Sequence, residues 1–105
     1  MVTIDPITNV YDAVSTTVAT GQTNRDMKAN NATLFANVNP ASYCSITTDQ
    51  AITVRFNSTS NPGIIITSSE SPKKWTRAEQ WLLITNIYVT NASGSTANMK
   101  IELYA

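Results

Sequence analysis

Near its end this sequence alternates without a break, with Met99, Ile101 and Leu103 on one side and Lys100, Glu102 and Tyr104 on the other. Successive side chains of a strand point to opposite faces. The run therefore predicts a strand with one face on a core and one in water. Ahead of it stands WLLITNIYVT, Trp81 to Thr90, where Leu83, Thr85, Ile87 and Val89 share one face and Leu82, Ile84, Asn86 and Tyr88 the other. Both faces are apolar or β-branched, which predicts a central strand covered on both sides. Between the two runs, Asn91 to Ala97 is built of turn formers and small residues, and it predicts an exposed hairpin loop joining them.

The rest of the chain repeats this grammar of short runs and turn signals. Residues 1–10 carry Pro6 and read as an extended N-terminal arm. Val10 to Thr20 predicts a strand, with Val10, Val14, Thr16 and Val18 on one face and Tyr11 on the other. Gly21 to Asn31 is polar and reads as a loop, with room for one helical turn capped by Asn24. Ala32 to Val38 predicts a short strand closed by Asn39-Pro40. Ser42 to Thr47 sets Tyr43 and Ser45 against Cys44 and Ile46. Ala51 to Asn57 points Ile52, Val54 and Phe56 inward and Thr53 and Arg55 outward. Pro62-Gly63 fits the centre of a type II turn, which makes 52–57 and 64–67 a hairpin. Ser68 to Gln80 lacks a strand pattern, and Trp75 within it is placed to fold back over the core. About six to eight short strands without an amphipathic helix predict an all-β chain, an antiparallel β-sandwich or jelly-roll-like barrel, formed by residues 1–105 as a single domain.

Composition narrows the function classes. Thr, Asn and Ser make up 37 of the 105 residues, whereas only 13% are charged and the formal net charge is zero. Such a surface is polar through hydroxyls and amides, and it packs against copies of itself with few charges to desolvate. It carries no electrostatic footprint for nucleic acid or an anionic membrane. Lys73, Lys74 and Arg77, flanked by Glu70 and Glu79, read as an ordinary solvated loop or an edge strand. No apolar run approaches the ~20 residues of a transmembrane helix. MVTIDPITNV lacks the charged start and apolar block of a signal peptide, so a chain made and folded in a cytoplasm is expected.

Catalytic chemistry finds little to work with. The chain has no histidine, which removes the usual general base and metal ligand. Its carboxylates, Asp5, Asp12, Asp26, Asp49, Glu70, Glu79 and Glu102, are dispersed rather than paired. Three glycines form no phosphate loop, and the lone Cys44 reads as a small hydrophobe at a half-buried strand position. No catalytic residue, metal or cofactor is expected. Asn-x-Ser/Thr triplets at Asn31, Asn57 and Asn91 are what so Asn- and Thr-rich a chain supplies by chance.

Trp75, Trp81, Tyr88 and Tyr104 gather in the C-terminal third and form the candidate interaction surface. One reading is a sugar-stacking platform on a sandwich. The other is a core cap plus a subunit interface, where amphipathic aromatics are favoured.

The runs ITNIYVTNASGSTANMKIELY and ITVRFNSTSNPGIII, within residues 43–105, resemble small virion proteins of tailed bacteriophages. The likeness lies in short strands, Thr/Asn/Ser-rich faces, a small-residue loop and a terminal strand at the end. It implies a non-enzymatic capsid decoration (cement) protein, assembling with itself, often as a trimer, on the major capsid protein of the virion. A head–tail or tail component, and a carbohydrate- or receptor-binding module, are the alternatives.

Overall fold

The computed structural model describes residues 10–76 and 83–105. Among the described residues eight strands form two four-stranded antiparallel sheets: β1 (Tyr11–Val18), β2 (Gln22–Asp26), β3 (Tyr43–Thr48), β4 (Ile52–Phe56), β5 (Ile64–Ile66), β6 (Lys73–Thr76), β7 (Ile87–Asn91) and β8 (Ala97–Tyr104). One sheet has the order β1-β8-β3-β6 and the other β2-β7-β4-β5. The first strand thus pairs the last, the second the second-last, and so on inward to the β4–β5 hairpin. A long antiparallel ribbon wound in this way is a jelly roll. The fold is therefore all-β, and the jelly-roll alternative describes its strand order.

Alternation on each strand makes the core. Ile52, Val54 and Phe56 of β4 face Cys44 and Ile46 of β3 and Met99, Ile101 and Leu103 of β8 within one buried cluster. Trp75 on β6 meets Phe56 on β4 edge-on, with ring centroids 5.0 Å apart, and so ties one sheet to the other. Cys44 is fully buried, and burial raises its thiol pKa far above the ordinary value.

Five expectations are corrected. First, β7 and β8 are not a hairpin. β7 pairs β2 and β4, β8 pairs β1 and β3, and residues 92–96 cross between the sheets. Each strand is central in its own sheet, so both its hydrogen-bonding edges are already taken.

Second, β7 is covered on one face only: Ile87, Val89 and Asn91 are buried, while Tyr88 and Thr90 are half-exposed. Its two apolar parities arise from a break in the strand. Ile84 is buried in a separate bridge to Ala41. The Asn57 side chain then accepts from the Thr85 and Asn86 N–H groups, and parity switches before Ile87.

Third, 22–38 is not a loop followed by a strand but a strand followed by two short helices. β2 is a polar edge strand, and α1 (Met27–Asn30) is capped by Asp26, whose Oδ1 accepts from Ala29 N. Asn24 instead lies within β2 at a φ of 49°. Ala32–Asn37 is a helix, α2, because Leu34, Phe35 and then Val38 reach the core at helical rather than alternating spacing.

Fourth, a short 3-10 turn and β6 occupy 68–76. Thr67 and Glu70 close a capping box at the turn, and β6 has Trp75 alone facing the core. One inward residue gives no visible alternation; pairing with β3 makes the strand.

Fifth, the β4–β5 hairpin stands, but not through a type II turn. The left-handed residue of its loop is Asn57, at φ 67°. Gly63 is there for space: a Cβ would sit 2.6 Å from Thr53 Cγ2 and 3.1 Å from Arg55 Nη2.

Candidate interaction surface

The four aromatic residues singled out by sequence do not form one surface. Trp75 is only 3% exposed, since it closes the core against Phe56, and it is no part of an outward face. Trp81 lies outside the described residues. Tyr88 and Tyr104 sit on opposite outer faces of the sandwich, because β7 and β8 belong to different sheets. Around Tyr88 the registered neighbours are Asp26 and Arg55, and Arg55 Nη1 donates to Asn24 Oδ1 at 3.2 Å.

Tyr104 instead meets two tyrosines that sequence reading left apart. The ladder places Tyr11 of β1 and Tyr43 of β3 directly opposite it on either side. All three occupy outward positions of their strands, so the register alone assembles a row of aromatic rings across the outer face. Tyr11 and Tyr104 have centroids 4.6 Å apart at 43°, and Tyr43 stands nearly perpendicular to Tyr104, at 4.9 Å and 81°. A shallow cleft of about 350 Å³ opens at the row's end, lined by Ser42, Tyr43, Tyr104 and Ala105.

One charged side chain anchors the row. Tyr11 Oη donates to Glu102 Oε2 at 3.0 Å, and Lys100 Nζ lies 3.9 Å from the same oxygen. The hydrogen bond to Glu102, aided by desolvation and the carboxylate's charge, raises the Tyr11 phenol pKa. Beyond Glu102 and Lys100 the face continues as hydroxyls and amides: Ser15 and Thr17 on β1, Asn98 on β8 and Thr47 on β3. Such a face offers rigid aromatic area and adaptable hydrogen bonds, the combination that protein-binding surfaces favour.

The other carboxylates among the described residues are engaged in local structure. Asp12 accepts from Ala13 N and Asn37 Nδ2, Asp26 from Ala29 N and Asn86 Nδ2, and Asp49 from Asn98. Among the described residues, no three Cys, Asp or Glu side chains converge. The three Asn-x-Ser/Thr asparagines are structural too. Asn31 Nδ2 bonds Met27 O, Asn57 Nδ2 bonds Leu83 O, and the fully buried Asn91 bonds Val18 O and Ser95 O.

Comparison with family models, curated proteins and solved structures yields no match to this chain.

Proposed function

We propose that this chain is a non-enzymatic structural subunit of a virion, a capsid decoration protein that assembles with itself and binds the major capsid protein on the outside of the head. The observation that carries the reading is the Tyr11–Tyr104–Tyr43 row on an outer sheet face that otherwise presents hydroxyls and amides around Lys74, Lys100 and Glu102. Tyrosines buried at an interface contribute large area at low entropic cost and rank among the residues that dominate binding energy. A ligand that binds the assembled shell and not its dissociated subunits stabilises the shell by mass action. The jelly-roll order is compatible with this role, as it is with lectins. The short Thr/Asn/Ser-rich strands of the C-terminal half, which resemble those of small phage virion proteins, tip the choice.

The carbohydrate reading draws on the same tyrosines but fits their geometry less well. Sugar rings stack on flat aromatic shelves, whereas Tyr43 stands at 81° to Tyr104 and Tyr11 tilts by 43°.

Immunogold microscopy of particles released by cells that encode the chain tests the proposal. Gold over heads supports it, and gold confined to tails reassigns the chain to a head–tail or tail part. Particles without label overturn the virion reading, and a glycan array then tests the sugar alternative.

A further inference from the structure

Four strands edge the two sheets, and three of them are guarded. β5 has three residues, β6 is short and begins with Lys73 and Lys74, and β2 is broken by a register shift between Gln22 and Arg25. Short length, lysines and bulges are the devices that stop edges from pairing. β1 has none of them. It runs for eight residues, and from Ala13 to Thr20 it carries no charge and no proline.

The direction of its free groups follows from the ladder. Ala105 N donates to Val10 O, so even-numbered residues of β1 bond β8 and odd-numbered ones face outward. At the start of the strand this edge is blunted, since the Ala13 N–H is taken by Asp12 Oδ1 at 2.8 Å. Ser15 and Thr17 follow, and among the described residues nothing pairs their outward N–H and C=O groups.

We infer that Ser15–Thr17 of β1 is a strand-addition site whose occupant is β1 of a second copy, joined antiparallel about a two-fold axis through Thr16. The segment is complementary to itself. With Thr16 opposite Thr16, Ser15 and Thr17 of each copy form hydrogen-bonded pairs with Thr17 and Ser15 of the other, and every odd-residue group between them is satisfied. Val14 then stands opposite Val18, and hydroxyls meet hydroxyls on the outer face, both favourable cross-strand pairs. The strand's only charge, Asp12, lies opposite Thr20, so no carboxylate faces its own copy. Beside this end of the strand a cleft of about 420 Å³ is lined by Asp12–Val14 and residues 30–34. A β1-edge contact is isologous and closes on itself as a pair, leaving both tyrosine rows free. It names the self-contact that the structural-subunit reading calls for, but it stands on the edge geometry and not on the virion.

Light scattering on the purified chain tests it together with two variants. The wild type is expected at twice its 11.4 kDa mass, or a higher even multiple. Thr17→Pro removes an outward N–H and no bond to β8, a site where edge strands tolerate proline. It should halve the mass while circular dichroism stays that of the wild type. Thr16→Cys provides a second check, because cysteines facing each other at a non-hydrogen-bonded pair lie within disulfide reach. Under mild oxidation it should give a covalent dimer, whereas Ser15→Cys should not; the native Cys44 is buried and does not interfere. A wild type that is monomeric at every concentration overturns the inference. So does an oligomer, a trimer included, that Thr17→Pro leaves intact and Thr16→Cys does not cross-link. Particle labelling reads the virion proposal separately, so either can fail alone.

Discussion

Asp49 and Asn98 clasp the turn after β3 to the start of β8. Asn98 N and Nδ2 donate to the two Asp49 carboxylate oxygens at 2.8 and 2.7 Å, and Asp49 N donates back to Asn98 O at 3.2 Å. The side-chain bond from Asn98, and then its backbone bond, hold the Asp49 pKa below the ordinary carboxylate value. A depressed native pKa means stability that is fully present above the unfolded value, about 3.9, and is lost as pH falls from there through the native one. Asp49→Asn should therefore lower the melting temperature at pH 7 and flatten its acid dependence below about pH 4. Thermal scans of both proteins across pH 2–7 check this; parallel curves would remove the clasp from the account.

Asn91 is a fully buried amide at the point where the chain leaves one sheet for the other. Its Nδ2 donates to Val18 O and Ser95 O, and its Oδ1 accepts from Ser93 N. Asn91→Ala strands those backbone groups and should cost about 1–3 kcal/mol in urea unfolding. A change under a few tenths of a kcal/mol would mean that water replaces the amide without loss.

Trp75 bridges the sheets through Phe56. Trp75→Ala should lower stability by about 3–5 kcal/mol, as core aromatic truncations do, and Trp75→Phe by less. Such a loss would disqualify either variant as a probe of ligand binding.

Tyr104 touches both other tyrosines of the row, whereas Tyr88 faces the opposite side. Tyr104→Ala should leave the fold intact at a cost of about 1 kcal/mol, since exposed aromatic pairs contribute modestly, and should weaken attachment to particles at least tenfold. Tyr88→Ala should leave attachment unchanged. Equal losses in co-sedimentation would place docking elsewhere than on the row.

Cys44 should resist thiol reagents in the native protein and react at once in denaturant, because burial holds the thiol protonated and out of reach. Rapid native modification would show that β3 opens locally.

Much of the architecture is legible in the chain because alternation is a local signal. β1, β3, β4 and β8 declare themselves by period two, and the Ile52–Val54–Phe56 set reads correctly as core, whereas Cys44, expected half-buried, is fully enclosed. Strands lacking that signal stay hidden. β2 is polar along its length and β6 has one inward residue, so only their pairing with β7 and β3 makes them strands. The helix at Ala32–Asn37 passes for a strand in sequence because a short apolar run suits either period.

Fold class is thus a property of the linear chain. Short runs of alternating residues, separated by turn formers and free of amphipathic helix pattern over any length, can bury their apolar side only as stacked antiparallel sheets. The same chain also makes the outer faces chiefly hydroxyl and amide, with a few charges set among them. Which strands adjoin is set only by tertiary packing. It sends β7 and β8 to different sheets, separating Tyr88 from Tyr104, and it brings Tyr11 and Tyr43 to Tyr104 from 93 and 61 positions away in the chain. Facing is a property of a residue's own strand, whereas register and neighbour are properties of a pair. No single run of sequence carries both halves of a pair.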